Sequence, residues 1–251
     1  MRKRILVPLP DRDFDPTEVA VPWRLLRDAG HELVFATERG GAAPACDERA
    51  LRGIVFGRFG ASEEARRYYA ELEQAPEFRS PVPWAAADPE CFGGLLLPGG
   101  HAPGMRQYLG SRILQEAIGA FWSLRRPVGA ICHGVLLLAR ARDHEGRSLL
   151  ARRRTTCFPR YLERLARVGT FWLGEYARTY PVYVEDEVRA ALDDPKQFEA
   201  GPRVLLARGT AGDDRAAFVV VDGNYVSARW LGDAYLFARS FERLLQATHG
   251  V

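Results

Sequence analysis

No apolar run in this chain approaches the ~20 residues that a membrane-crossing helix needs. The longest, Gly94 to Pro98 and Val135 to Ala139, fall far short. The first residues, MRKRILVPLPDRDF, start basic, but their apolar part stops at Leu9 and no small-residue cleavage site follows, so no secretory leader is expected. Cysteine is scarce: Cys46, Cys91, Cys132 and Cys157 lie far apart, with no C-x-x-C pair, in a chain of 251 residues. Such a chain is long enough to bury a core without staples, and this is the usage of reduced thiols in a cytoplasmic protein. Blocks of like charge are missing as well. The formal net charge is +3, and the densest basic cluster, Arg152 to Arg154, reads as a solvated strand or turn. Neither a nucleic-acid nor a membrane partner is therefore expected. No group of His, Cys and carboxylates has a metal-ligand spacing, so no metal or other cofactor is expected. With no repeat, low-complexity tract or Pro/Ser linker, residues 1–251 read as one domain.

What is present is an alternation of apolar strands with amphipathic helices, the pattern of a mainly parallel sheet covered on both faces. Arg4 to Leu9 is the first expected strand. A helix over Thr17 to Ala29 follows, with Val19, Trp23 and Leu26 on one face and an irregular or kinked start at Pro22. His31 to Thr37 is a second strand, and Glu38 to Phe59 a long connection. Ser62 and Ser111 are placed to cap helices. The Ser62 helix is expected to run to about Gln74, with Pro76 to Pro89 irregular after it. The Ser111 helix turns Ile113, Ala117, Ile118 and Phe121 inward. Gly93 to Pro98 and Pro127 to Ile131 read as buried central strands, with a helix over Val135 to Arg142. Beyond Arg147 the strand candidates are Arg153 to Phe158, Tyr180 to Val184, Val204 to Ala207 and Phe218 to Val221. The last opens a hairpin around Asp222-Gly223. A closing helix spans Asp233 to Gln246, with Leu236, Phe241, Leu244 and Leu245 on its apolar side.

Three segments could carry chemistry. In RRPVGAICHGVLLLA an apolar strand runs straight into Cys132, with Ala130 two residues before and Gly134 two after, and then into a helix. Small neighbours at those positions allow the sharp turn of a nucleophile elbow. A helix start beside the sulfur would lower the thiol pKa and supply backbone N–H groups to an oxyanion, so Cys132 is expected to be the one cysteine with a depressed pKa. In LLLPGGHAPGM, Gly99 and Gly100 bring backbone amides to the carboxyl edge of the sheet, and His101 hangs over the same cleft. In DFDPTEVAVPW, Glu18 is the acid placed to face that cleft, whereas Asp11, Asp13 and Asp15 read as a solvated loop.

FDPTEVAVPWRLL, LLLPGGHAPGM and AICHGVLLLA, in that order, resemble the ThiJ/PfpI branch of the class I glutamine amidotransferase-like superfamily. The resemblance is closest to its longer subgroup of glyoxalase III and chaperone-like proteins. GRSLLARRRTTCFPRYLE and VVVDGNYVSAR extend it loosely toward the C-terminus. It implies a flavodoxin-like three-layer α/β/α sandwich and a homodimer. It also implies Cys132 as nucleophile, His133 as general base, and Glu18 as a protonated acid hydrogen-bonded to the sulfur. The backbone N–H groups of Gly100 and His133 would be oxyanion donors. His101 falls on the histidine of the family's Gly-Gly-His-Gly pattern, although Ala102 and Pro103 replace the second glycine. The third triad member would be Glu163, with Glu175 as its rival. The implied activity is attack of a Cys132 thiolate on a small reactive carbonyl or amide, as in glyoxalase III, deglycases or amidases. The alternative is a stress-response redox sensor or chaperone-like protein. A glutaminase subunit is disfavoured, because no His-x-Glu pair follows Cys132 near the C-terminus.

Overall fold

The computed structural model describes residues 2–53, 60–178, 180–204 and 207–247. Its main sheet holds seven strands: β1 (Arg4–Pro8), β3 (Glu32–Thr37), β5 (Val82–Pro83), β6 (Gly94–Leu97), β7 (Val128–Ile131), β8 (Val219–Asp222) and β9 (Tyr225–Ala228). Their spatial order is β5-β3-β1-β6-β7-β9-β8, parallel throughout except that β8 runs antiparallel to β9. Two short strands, β2 (Arg12–Phe14) and β4 (Ala45–Cys46), pair separately above the sheet edge. The chain leaves β1 toward β3 and β5, then returns to the other side at β6. The carboxyl ends of β1 and β6 therefore flank a topological switch point, where such sheets open a crevice.

Helices flank the sheet, and their starts follow local chemistry. In α1 (Pro16–Asp28) the Asp15 carboxylate accepts from the Thr17 and Glu18 amides at 2.8 and 3.2 Å, which begins the helix one residue before the expected start. Pro22 is accommodated inside α1 rather than at an irregular start, with its ring buried. After α2 (Glu48–Arg52), Ser62 caps α3 (Glu63–Leu72) through the Ala65 amide at 3.1 Å. Pro76 to Pro89 is more ordered than expected, holding α4 (Pro76–Arg79), β5 and a 3₁₀ turn at Trp84–Ala86. Following α5 (Met105–Leu109), Ser111 caps α6 (Arg112–Ser123), whose inward residues are Leu114, Ile118 and Phe121. Ile113 is 55% exposed, so the inward stripe is rotated by one residue from the expected one.

After α7 (Val135–Arg140) come α8 (Arg160–Gly169) and α9 (Val184–Ala190). Arg153 to Phe158 is not a strand: Thr155 bridges Phe198 alone, and its hydroxyl joins Tyr225 and Ser227 of β9. Tyr180 to Val184 leads into α9, whereas Val204 to Ala207 lies partly outside the described residues. The expected hairpin forms with Gly223 at φ +60, a conformation that suits glycine at the first position of a two-residue turn. In α10 (Ala234–Ala247) Phe237, rather than Leu236, joins Phe241 and Leu245 in the core. At its start the fully buried Asp233 receives the Arg229 guanidinium and backbone amide, which ties the end of β9 to α10.

Candidate active site

Three loops at the carboxyl ends of β1, β6 and β7 bring their chemistry-bearing residues together. β7 ends at Ile131 with extended backbone, and Cys132 follows at φ +58, in the left-handed region that a side chain other than glycine rarely adopts. The turn that holds it is packed to the limit. A Cβ on Gly134 would lie 2.2 Å from the Leu97 carbonyl oxygen and 2.6 Å from that of Pro98. A Cβ on Gly99 would meet the Cys132 Cβ, Glu18 Oε2 and His133 N, each at 2.8 Å. Glycine is thus required on both sides of the thiol, and a cysteine at φ > 0 is the strained geometry of a nucleophile elbow.

Glu18, in the first turn of α1, is buried and points at this elbow. Its Oε2 accepts from the Gly99 amide at 2.9 Å, and its carboxyl hydrogen-bonds the Cys132 thiol. Burial raises the Glu18 pKa well above the carboxylate range, and the neighbouring charge of Asp15 adds to the push. Burial thus favours the protonated form of the Glu18 carboxyl, which faces the sulfur. The Asp11–Asp15 stretch is not a solvated loop throughout. Asp11 is exposed, but Asp15 is buried, and burial lifts its pKa to about 6. Asp13 sits at φ +75 and accepts from the Gly104 amide at 2.7 Å.

The Cys132 thiol is not the low-pKa group expected from its helix start. Burial pushes it well above the ordinary thiol value, with the charges of Glu18 and Asp15 acting in the same direction, and the His133 backbone N–H only partly offsets them. His133 Nδ1 lies 3.3 Å from Sγ, and its ring leans on Phe158 at 5.3 Å between centroids. Desolvation lowers the His133 pKa to about 3, so the imidazole is held neutral. Burial therefore favours the neutral thiol beside a neutral imidazole.

Glu163 does not complete a triad on this histidine. Its carboxylate accepts from the Val184 amide at 3.0 Å, and it makes no hydrogen bond to His133. Its rival Glu175 is exposed. Among the described residues no carboxylate hydrogen-bonds His133. Gly100, at φ +153, packs against the Asp13 carbonyl, with its amide on the loop beside the elbow. His101 continues that loop and meets Tyr176 edge-on, with centroids 5.0 Å apart. Tyr176 and Asp47 carry no local sequence signal, because they lie 129 residues apart and meet only in the fold. Among the described residues no cluster of His, Cys and carboxylates could hold a metal, and no helix is long and apolar enough to cross a membrane. All four cysteines are free; Cys46 and Cys157 are buried and Cys91 is exposed.

A deglycase of Pyrococcus abyssi is 26% identical over 97% of this chain and 99% of its own length. The deglycase PfpI of Pyrococcus furiosus is 25% identical over 93% and 95% respectively. In architecture the chain superposes on glyoxalase III of Candida albicans with a TM-score of 0.68. That match has 17% identity and covers 96% of each chain. The model described as "ThiJ/PfpI family-like" matches residues 9–202, and with the elbow and the parallel sheet this places the chain in the ThiJ/PfpI family of class I glutamine amidotransferase-like proteins.

Proposed function

We propose that the protein is a cysteine-dependent enzyme acting on small reactive carbonyls, in the manner of a glyoxalase III or a deglycase, with amides as a further substrate class. One observation carries the reading. Cys132 is held at φ +58 between the Glu18 carboxyl and the His133 imidazole, a strained placement that packing alone does not call for. Relatives named deglycases that align along nearly the whole chain support the substrate class. In the proposed reaction, Sγ adds to an aldehyde carbon as the thiol proton passes to His133 or His101. The carbonyl electron pair moves to oxygen, where the Gly100 and His133 amides receive it. For a 2-oxoaldehyde, one proton shift between the two carbons turns the hemithioacetal into a thioester. Water then releases a 2-hydroxy acid and restores the thiol.

Incubation with methylglyoxal without glutathione tests this. Wild type is expected to form lactate, and Cys132→Ser to fall by at least about a hundredfold. A chromogenic peptide amide run in parallel tests the second class. Absence of turnover on carbonyl, ester and amide panels, with ready peroxide oxidation of Cys132, would replace this reading with that of a redox sensor.

A further inference from the structure

Tyr176 is gripped from three directions. Its hydroxyl donates to Oδ2 of Asp47. The other oxygen of Asp47 accepts from the Arg49 amide at 2.9 Å, so the carboxylate is fixed as the N-cap of α2. The Arg49 guanidinium lies over the Tyr176 ring at 4.9 Å, and the His101 ring meets it edge-on at an interplanar angle of 77°. Ala102 and Ala177 complete a small apolar cluster around Tyr176, separate from the main core. His101 is two residues from Gly99, where an added Cβ would meet Cys132, and its ring is close enough to His133 to act on it electrostatically, so whatever fixes the His101 ring fixes its place beside the elbow.

We propose that Tyr176, locked by Asp47 and Arg49, is the positioning residue that sets the His101 imidazole at the Cys132 cleft. This rests on the carbonyl-enzyme reading of Cys132. An aromatic edge against an imidazole limits ring rotation and keeps water from that side. Both effects matter more for a proton carrier than for a packing residue. The groups facing His101 are Asp47 at the start of α2, Asp13 on β2, His133 on the elbow and Tyr176 itself. Desolvation holds the His101 pKa below the usual histidine value, against the pull of the two carboxylates. A purely structural Tyr176 would affect stability without moving this balance.

The test is an NMR titration of the histidine ring protons, assigned with His101→Gln, alongside methylglyoxal kinetics. The His101 midpoint is expected to rise from wild type to Tyr176→Phe, and further in Tyr176→Ala as water enters. The kcat of Tyr176→Ala is expected to drop about tenfold or more with KM little changed, and that of Tyr176→Phe to drop less. An unchanged His101 midpoint in the Tyr176 variants would overturn the proposal, whatever the kinetics. If Tyr176→Ala does not fold, Tyr176→Phe and Tyr176→Leu, which leave the Asp47 charge in place, decide: a raised midpoint in either supports the lock, and an unshifted one in both removes it. The titration needs no turnover, so a wild type inactive on carbonyls would sink the functional reading while leaving this measurement decisive.

Discussion

At Cys132 a side chain needed for chemistry occupies backbone space that suits glycine, and the cost should be measurable. A non-glycine residue held at φ > 0 stores on the order of 1 kcal/mol or more. Glycine normally destabilises relative to alanine, but at φ +58 the order should invert. Cys132→Gly is expected to be more resistant to urea than Cys132→Ala, by about 1 kcal/mol. An alanine variant that is the more stable of the two would show that the elbow is unstrained. The thiol itself feels burial first and then the Glu18 charge, both raising its pKa. Glu18→Gln removes the charge and keeps a hydrogen-bonding group. Iodoacetamide should therefore alkylate Cys132 at lower pH in that variant than in wild type. An unchanged or higher alkylation midpoint would show that Glu18 does not hold the sulfur up.

Between elements, Glu163 belongs to a reciprocal cap. It accepts from the first amide of α9, while Glu185 of α9 accepts from the Arg160 amide that opens α8, so each helix satisfies an orphan donor of the other. Burial pushes Glu163 up to about 7, so at pH 8 its charge is held in the interior at a desolvation cost that the Val184 amide and Arg178 only partly offset. Glu163→Gln should retain turnover, leave thermal stability at pH 5 nearly unchanged and raise it at pH 8. Loss of turnover on that substitution would return Glu163 to the catalytic set. The same region marks where local sequence stops being informative. The caps at Ser62 and Ser111 and the elbow at Cys132 are written within four or five residues of the features they create, and they form where expected. Arg153 to Phe158 has the residue types of a strand. Its neighbour β9 is already paired on both sides, by β7 and β8, so no edge is left for it. Asp15 reads as solvated because the burial of its loop under the Gly99–Gly100 turn depends on contacts some 85 residues away, such as the Asp15 amide on the Gly99 carbonyl at 2.9 Å. Tyr176 and Asp47 escape for the same reason.

Over the whole molecule the buried acids and the buried histidines pull stability in opposite directions. Asp15 rises from 3.8 to about 6, Glu163 from 4.5 to about 7, and Glu18 rises well above 4.5, all mainly through desolvation. An acid whose folded pKa is raised contributes stability that is complete below its unfolded pKa and is lost as pH climbs through the folded one. His133 falls from 6.5 to about 3, and His101 is lowered too, again by desolvation. A base whose folded pKa is depressed contributes stability that is complete above its unfolded pKa and is lost as pH falls below it. Between about pH 5 and 6.5 the two sets oppose each other, because the folded state holds carboxyl protons that the unfolded chain has lost and the unfolded chain holds histidine protons that the folded state lacks. The slope there is shallower than either set alone would give. Above that window the unfolded histidines are already neutral while the folded carboxyls must give up their protons, so stability falls. Below it the unfolded carboxylates take protons as well, and stability falls again. The melting temperature is therefore expected to peak in mildly acidic solution, at roughly pH 5, and to decline toward pH 8 and, once the unfolded carboxylates take up protons, on the acid side as well. Thermal scans across pH 4 to 9 read this directly. His133→Gln should reduce the loss of stability as pH falls below about 6.5, and Glu163→Gln the loss as pH rises from about 4.5 to 7. A wild-type melting temperature that climbs steadily to pH 8 would mean that these carboxyls are ionised and hydrated in solution, not buried as protonated acids.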